Sequence, residues 1–150
     1  MAVSIVLMLA RQSWNSWGRL TETKRMTVIS DLSADAFQAM HNLRADKSTM
    51  VRTLKDSKTI EPKIQKYLDD LHVGEIKAMR EVGKNLALVG FDGQAKIRAE
   101  LLNLTDRFAA LQTESMSAVH NEKSVRRAAL PTEYNETSTK LLALLEDLST

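Results

Sequence analysis

Residues 93–120 read GQAKIRAELLNLTDRFAALQTESMSAVH, and the spacing of their apolar residues decides the fold class. Ile97, Leu101, Leu104, Phe108, Leu111, Ser115 and Ala118 alternate steps of four and three. That rhythm lays one apolar stripe along a helix, whereas a strand would need alternation every second residue. The stretch follows Gly90-Phe91-Asp92-Gly93, the clearest turn in the chain, in which Asp92 is a suitable helix cap.

The same rhythm extends outward. Tyr134, Ser138, Leu141, Leu145 and Leu148 repeat it downstream. Upstream, Ile64, Leu68, Leu71, Glu75, Ala78 and Val82 follow it with Glu75 as the charged exception. Turn-forming residues divide the chain into predicted helices over about 14–56, 60–89, 93–120 and 124–148. Thr59 is a candidate cap for the second helix, and Pro62 falls in its first turn, where a missing N–H costs nothing. Gly74 and Gly83 should weaken that helix. Pro131 either bends the fourth helix or marks its start. Four striped helices with short connections predict an all-α, up-down-up-down four-helix bundle with an extended first helix.

Composition agrees. Five glycines, two prolines and 5% aromatics leave few turns and little strand-forming material, and 43% hydrophobic residues exclude disorder as the main state. The absence of cysteine excludes disulfides, thiolate zinc sites and cysteine nucleophiles. A formal charge of +2, with no basic run interleaved by aromatics, argues against nucleic acid as a partner.

The amino terminus carries a different signal. Residues 2–10 read AVSIVLMLA, too short a run to cross a bilayer, which takes about 20 apolar residues. Arg11, Trp14, Trp17 and Arg19 follow. Indole rings and snorkelling cations just beyond an apolar run mark a membrane–water interface. Residues 1–13 are therefore expected to be the outer end of a truncated transmembrane helix, with Trp14 and Trp17 at the lipid boundary and residues 14–150 forming a sensor domain. The alternative is a buried amino-terminal helix with two core tryptophans.

The first helix holds the most informative anomaly. Phe37, Met40, Arg44, Lys47, Val51 and Leu54 are spaced three, four, three, four, three, which sets two cations on an apolar seam. Shifting the stripe to Ala36, Met40, Leu43, Lys47, Met50 and Leu54 still leaves Lys47 on it. Arg52 lies two turns above Arg44 on a neighbouring face, and Arg126 and Arg127 begin the fourth helix at the same end. Arg44, Lys47, Arg52, Arg126 and Arg127 are thus the expected site for a small anion, a carboxylate or an oxyanion such as nitrate, held by charge-assisted hydrogen bonds. Two other readings stay open. Lys47 pairs with Glu75 or Asp46 while the arginines reach solvent, or Arg44 and Lys47 face a dimer partner.

Enzymatic signals are missing. There is no phosphate-cradling glycine loop, no Gly-x-Ser-x-Gly elbow and no Ser/His/Asp grouping, so no catalytic residue and no cofactor are expected. His41, His72 and His120 show no second histidine and no Glu-x-x-His pair on two helices, so no metal site is expected either.

Trp14-Asn15-Ser16-Trp17-Gly18-Arg19-Leu20 after an apolar run, the segment ADAFQAMHNLRADKS at 34–48, Arg126-Arg127-Ala128-Ala129-Leu130 and residues 141–149 together resemble the extracytoplasmic sensor region of bacterial methyl-accepting chemotaxis receptors. The likeness covers nearly the whole chain, as texture more than as a tight motif. It implies a periplasmic helical bundle tethered to the inner membrane, a homodimer, a transmembrane helix on each side and a cytoplasmic signalling region. Arg44 and Arg52 match the place where such receptors commonly bind acidic ligands; the ligand itself does not transfer. A histidine-kinase sensor domain would share this architecture, and a helical adaptor or scaffold is the reading from a different class.

Overall fold

The computed structural model describes the backbone from Ala2 to Ser149 and the side chains of residues 24–149. Four helices account for most of it: α1 (Ala2–Lys55), α2 (Pro62–Leu86), α3 (Gln94–Ala118) and α4 (Leu130–Ser149), with a short 3-10 turn at Lys123–Val125. Among the described residues there is no strand. Helix α1 packs on α2 and α4, and α3 closes the opposite side against the same two, so α1 and α3 barely touch. All four stripes meet in one core.

The predicted stripes hold closely in α3 and α4. Leu101, Phe108, Leu111 and Ser115 are buried on α3, and Tyr134, Ser138, Leu141 and Leu145 on α4. Each fully buried Leu or Phe contributes about 1.5–3 kcal/mol relative to exposure. The rings of Phe108 and Tyr134 meet at 5.0 Å between centroids and 56° between planes, a tilted aromatic contact at the α3–α4 seam.

The stripe of α1 requires a correction. It runs through Leu32, Ala36, Ala39, Met40, Leu43, Asp46, Met50 and Leu54. Phe37 and Arg44 are exposed and Lys47 is partly buried. The charged residue on the seam is therefore Asp46, one position before Lys47. A 3.6-residue period leaves adjacent positions hard to separate by counting.

Helix ends also differ from expectation. Gly93 caps α3 at φ 84°, a left-handed conformation that glycine adopts without a Cβ penalty, and Asp92 makes no capping bond. Glu61 precedes Pro62 at the start of α2, so Thr59 is not the cap. Helix α4 begins at Leu130 with Pro131 in its first turn, so the proline marks the start and introduces no bend. A Cβ at Gly83 would lie 2.9 Å from Leu102 Cδ2, which assigns this glycine to close α2–α3 packing. Trp14 and Trp17 lie outside the residues whose side chains are described. Among the described residues no helix is long and apolar enough to cross a membrane.

Candidate functional site

Two polar features stand out, one on the surface and one in the core. Arg44, Lys47, Ser48, Val51, Arg52 and Lys55 line an open groove of about 760 Å³ that Asn135 and Leu142 of α4 complete. Positions 44, 48, 52 and 55 recur at helical spacing, so one face of α1 presents its cations together. Lys47 Nζ donates to Thr139 Oγ1 at 2.8 Å, tying α1 to α4 beside the groove. Among the described residues no carboxylate lines it. Among the described residues none of Arg44, Lys47, Arg52 and Lys55 makes an ion pair. Such a concave surface, positive and with no carboxylate paired to its cations, is suited to a small anion.

Three of the five expected ligand-binding cations thus converge, and two do not. Arg126 donates from Nη1 to the carbonyl oxygens of Thr53, Leu54 and Asp56 at 3.0, 3.1 and 2.8 Å, and from Nη2 to that of Lys58 at 2.8 Å. It gathers carbonyls from the last turn of α1 and from the loop that follows, where the helical ladder runs out. Arg127 forks onto Glu114 and Glu133 and holds both carboxyls below their usual range through hydrogen bonds and its charge. Arg126 and Arg127 do not begin the fourth helix, which starts at Leu130; they lie in the connection before it, fasten that end of the bundle and contribute nothing to the groove.

The core feature centres on Asp46 and Glu75, each with 0% of its surface exposed. Asp46 Oδ1 lies 2.9 Å from His72 Nε2, and Oδ2 accepts from the Tyr134 hydroxyl. That hydroxyl is also 3.4 Å from His72 Nε2. Glu75, one turn beyond His72 on α2, accepts a hydrogen bond from Gln112 Nε2 at Oε1, while Oε2 has no partner. Burial, and then the nearby Asp46 charge, push the Glu75 carboxyl up to about 10, so it stays protonated at neutral pH. Burial and Asp46 raise the Tyr134 phenol as well, keeping it a donor.

Residue spacing missed this cluster. The reading of Lys47 as a partner for Asp46 or Glu75 does not hold, because Asp46 takes His72 and Tyr134 while Lys47 turns to Thr139. His72 is not without a carboxylate: His72-Val73-Gly74-Glu75 is a His-x-x-Glu pair, completed by Asp46 from α1. The available signal was Glu75 on the α2 stripe with a histidine three residues before it.

A second cavity, of about 870 Å³, lies between α1, the α2–α3 turn, the start of α3 and α4. Ile29, Leu32, Val89, Ile97 and Leu148 give it a mainly apolar wall. Comparison with family models, curated proteins and solved structures finds no match for this chain.

Proposed function

We propose that this chain is the ligand-sensing bundle of a membrane receptor of the chemotaxis-receptor type and that it binds a small anion in the groove between α1 and α4. The observation that carries the reading is the set of four cations, Arg44, Lys47, Arg52 and Lys55, on one α1 face against Asn135, none in an ion pair among the described residues. In this reading the helices run up-down-up-down, the extended α1 enters from the inner membrane, and the end of α4 returns to it. The bundle faces the periplasm and works as a homodimer.

The mechanism is binding without turnover. An anion clamped by the arginines of α1 and by Asn135 of α4 favours one setting of the two helices over another. The Lys47–Thr139 contact belongs to the unliganded setting, and an anion that draws the ammonium away from Thr139 frees α4 to slide relative to α1. A shift of that kind, passed along two membrane-linked helices, is the signal.

The test is a thermal-shift and calorimetric screen of small dicarboxylates, citrate and nitrate on the protein and on Arg44→Ala and Arg52→Ala. A binder should raise the melting temperature in proportion to the logarithm of its concentration. Loss of one charge-assisted contact, about 1.5–3 kcal/mol, should weaken it roughly 10- to 100-fold. Anion binding unchanged in both variants would remove the groove from the mechanism.

A further inference from the structure

We propose that Asp46, His72 and Glu75 form a site for one divalent first-row transition-metal ion, of the Zn²⁺ class, inside the bundle. One donor atom from each residue lies within 4.8 Å of the other two. His72 and Glu75 are three residues apart and share a face of α2, and Asp46 reaches them from α1. Around an ion with bonds of about 2.0–2.2 Å, ligand atoms sit about 3.4 Å apart, an adjustment within reach of side-chain rotation in which Asp46 Oδ1 and His72 Nε2, 2.9 Å apart, move slightly away from each other.

An independent observation points to an occupant. Glu75 is wholly buried, Gln112 serves its Oε1, and no donor reaches its Oε2; its carboxyl meets the Asp46 carboxylate, an acceptor like itself, so a cation or a proton must lie between the two. Buried polar atoms in native proteins are almost always satisfied, and an orphaned carboxylate oxygen beside an imidazole and a second carboxylate is what a ligand atom looks like without its ion.

The surroundings fit as well. Tyr134 donates to Asp46 Oδ2 and Gln112 to Glu75 Oε1, which orients both carboxylates through their outer oxygens. Two carboxylates balance a 2+ charge, so the loaded site adds no net charge to the core. An imidazole in a three-ligand set favours Zn²⁺ or its neighbours over Ca²⁺, which takes six to eight oxygens, and over Mg²⁺, which keeps its waters. The His72 side chain is 12% exposed, giving the ion a way in and a water a place at the fourth position. The site shares no residue with the anion groove, and the failure of either leaves the other standing.

The competing occupant is a proton on Glu75, donated to Asp46. Zn²⁺ titrated into chelator-stripped protein by calorimetry, with Co²⁺ absorption and histidine NMR in parallel, separates the two. The metal site predicts one ion per chain, proton release that varies the heat with buffer, visible Co²⁺ bands and a shift confined to the His72 resonances. His72→Gln and Glu75→Gln should abolish binding, Tyr134→Phe should weaken it about 10- to 100-fold, and His41→Gln and His120→Gln should leave it unchanged. No saturable binding by the unmodified protein, or resonance shifts at His41 or His120 in place of His72, overturns the proposal. Those two readouts need no variant to fold.

Discussion

His72 Nε2 lies 2.9 Å from Asp46 Oδ1, and the Tyr134 hydroxyl donates to the other oxygen of the same carboxylate. One buried side chain therefore joins α1, α2 and α4, and the Glu75–Gln112 bond beside it brings in α3. A wholly buried carboxylate is tolerated only where its oxygens are served, so any sliding of one helix past another leaves it unsatisfied. Apolar stripes hold the helices together; this cluster sets their register.

Tyr134→Phe tests that role with little change in volume. The variant keeps the ring against Phe108 and removes only the donor to Asp46. Leaving a buried acceptor short of a partner costs about 1–3 kcal/mol. At this chain length that is a fall of roughly 2–12 °C in melting temperature, read by circular dichroism. An unchanged melting temperature would mean that the hydroxyl contributes nothing to holding Asp46.

Glu75→Gln tests the protonated carboxyl. The group holds its proton up to about 10 in the folded protein and only to its ordinary value of 4.5 when unfolded. Between those values the folded state binds more protons than the unfolded state, so stability falls as pH rises. The slope is about 1.4 kcal/mol per pH unit for one proton. Glutamine has no proton to lose and keeps an oxygen for Gln112. Denaturant titrations of metal-free protein should therefore show the variant gaining on the unmodified chain steadily from pH 5 to pH 9. A constant difference over that range would contradict a raised Glu75.

Arg126→Ala should expose the carbonyls of Thr53, Leu54, Asp56 and Lys58 together. Hydrogen bonds involving a charged group contribute about 1.5–3 kcal/mol each to stability, and at an exposed helix end, where water reaches the freed carbonyls, the losses do not sum. A net destabilisation of about 1–3 kcal/mol is expected, together with faster hydrogen exchange at the end of α1. Arg126→Lys should recover little of it, since an ammonium cannot fork across four carbonyls.

Much of this structure was legible in the residue spacing, and the exceptions have physical causes. Leu101, Phe108, Tyr134 and Leu141 fall on period because their helices pack along one stripe from end to end. Pro62 identified the start of α2 because its chemistry admits few other places. The cations of α1 were legible as a group, since Arg44, Lys47 and Arg52 share a face whichever residue occupies the seam. Asp46 was hidden by Lys47 next to it: a stripe one residue out of phase still looks continuous. Arg126 was misassigned because a carbonyl-binding arginine and an anion-binding arginine have the same sequence signature, and only the position of α1's end tells them apart. The cluster of Asp46, His72, Glu75, Gln112 and Tyr134 draws on four helices, and no local spacing encodes a contact between residues 88 positions apart.

Salt separates the two uses of arginine. The groove is open and its cations face solvent, so an anion there feels a field screened over about 8 Å at 0.15 M salt and about 3 Å at 1 M. Affinity for a bound dicarboxylate should fall as sodium chloride rises across that range, and faster for the unmodified protein than for Arg44→Ala. If Arg44 and Arg52 grip the same ligand, each single variant forfeits much of what the pair provides, and the double variant loses less than the two losses added. Arg126 works at short range on neutral carbonyls, so the stability cost of Arg126→Ala should change little over the same salt series. Equal salt dependence for both effects, or strict additivity of the Arg44 and Arg52 losses, would mean that the α1 cations attract anions only as a diffuse charged face and form no site.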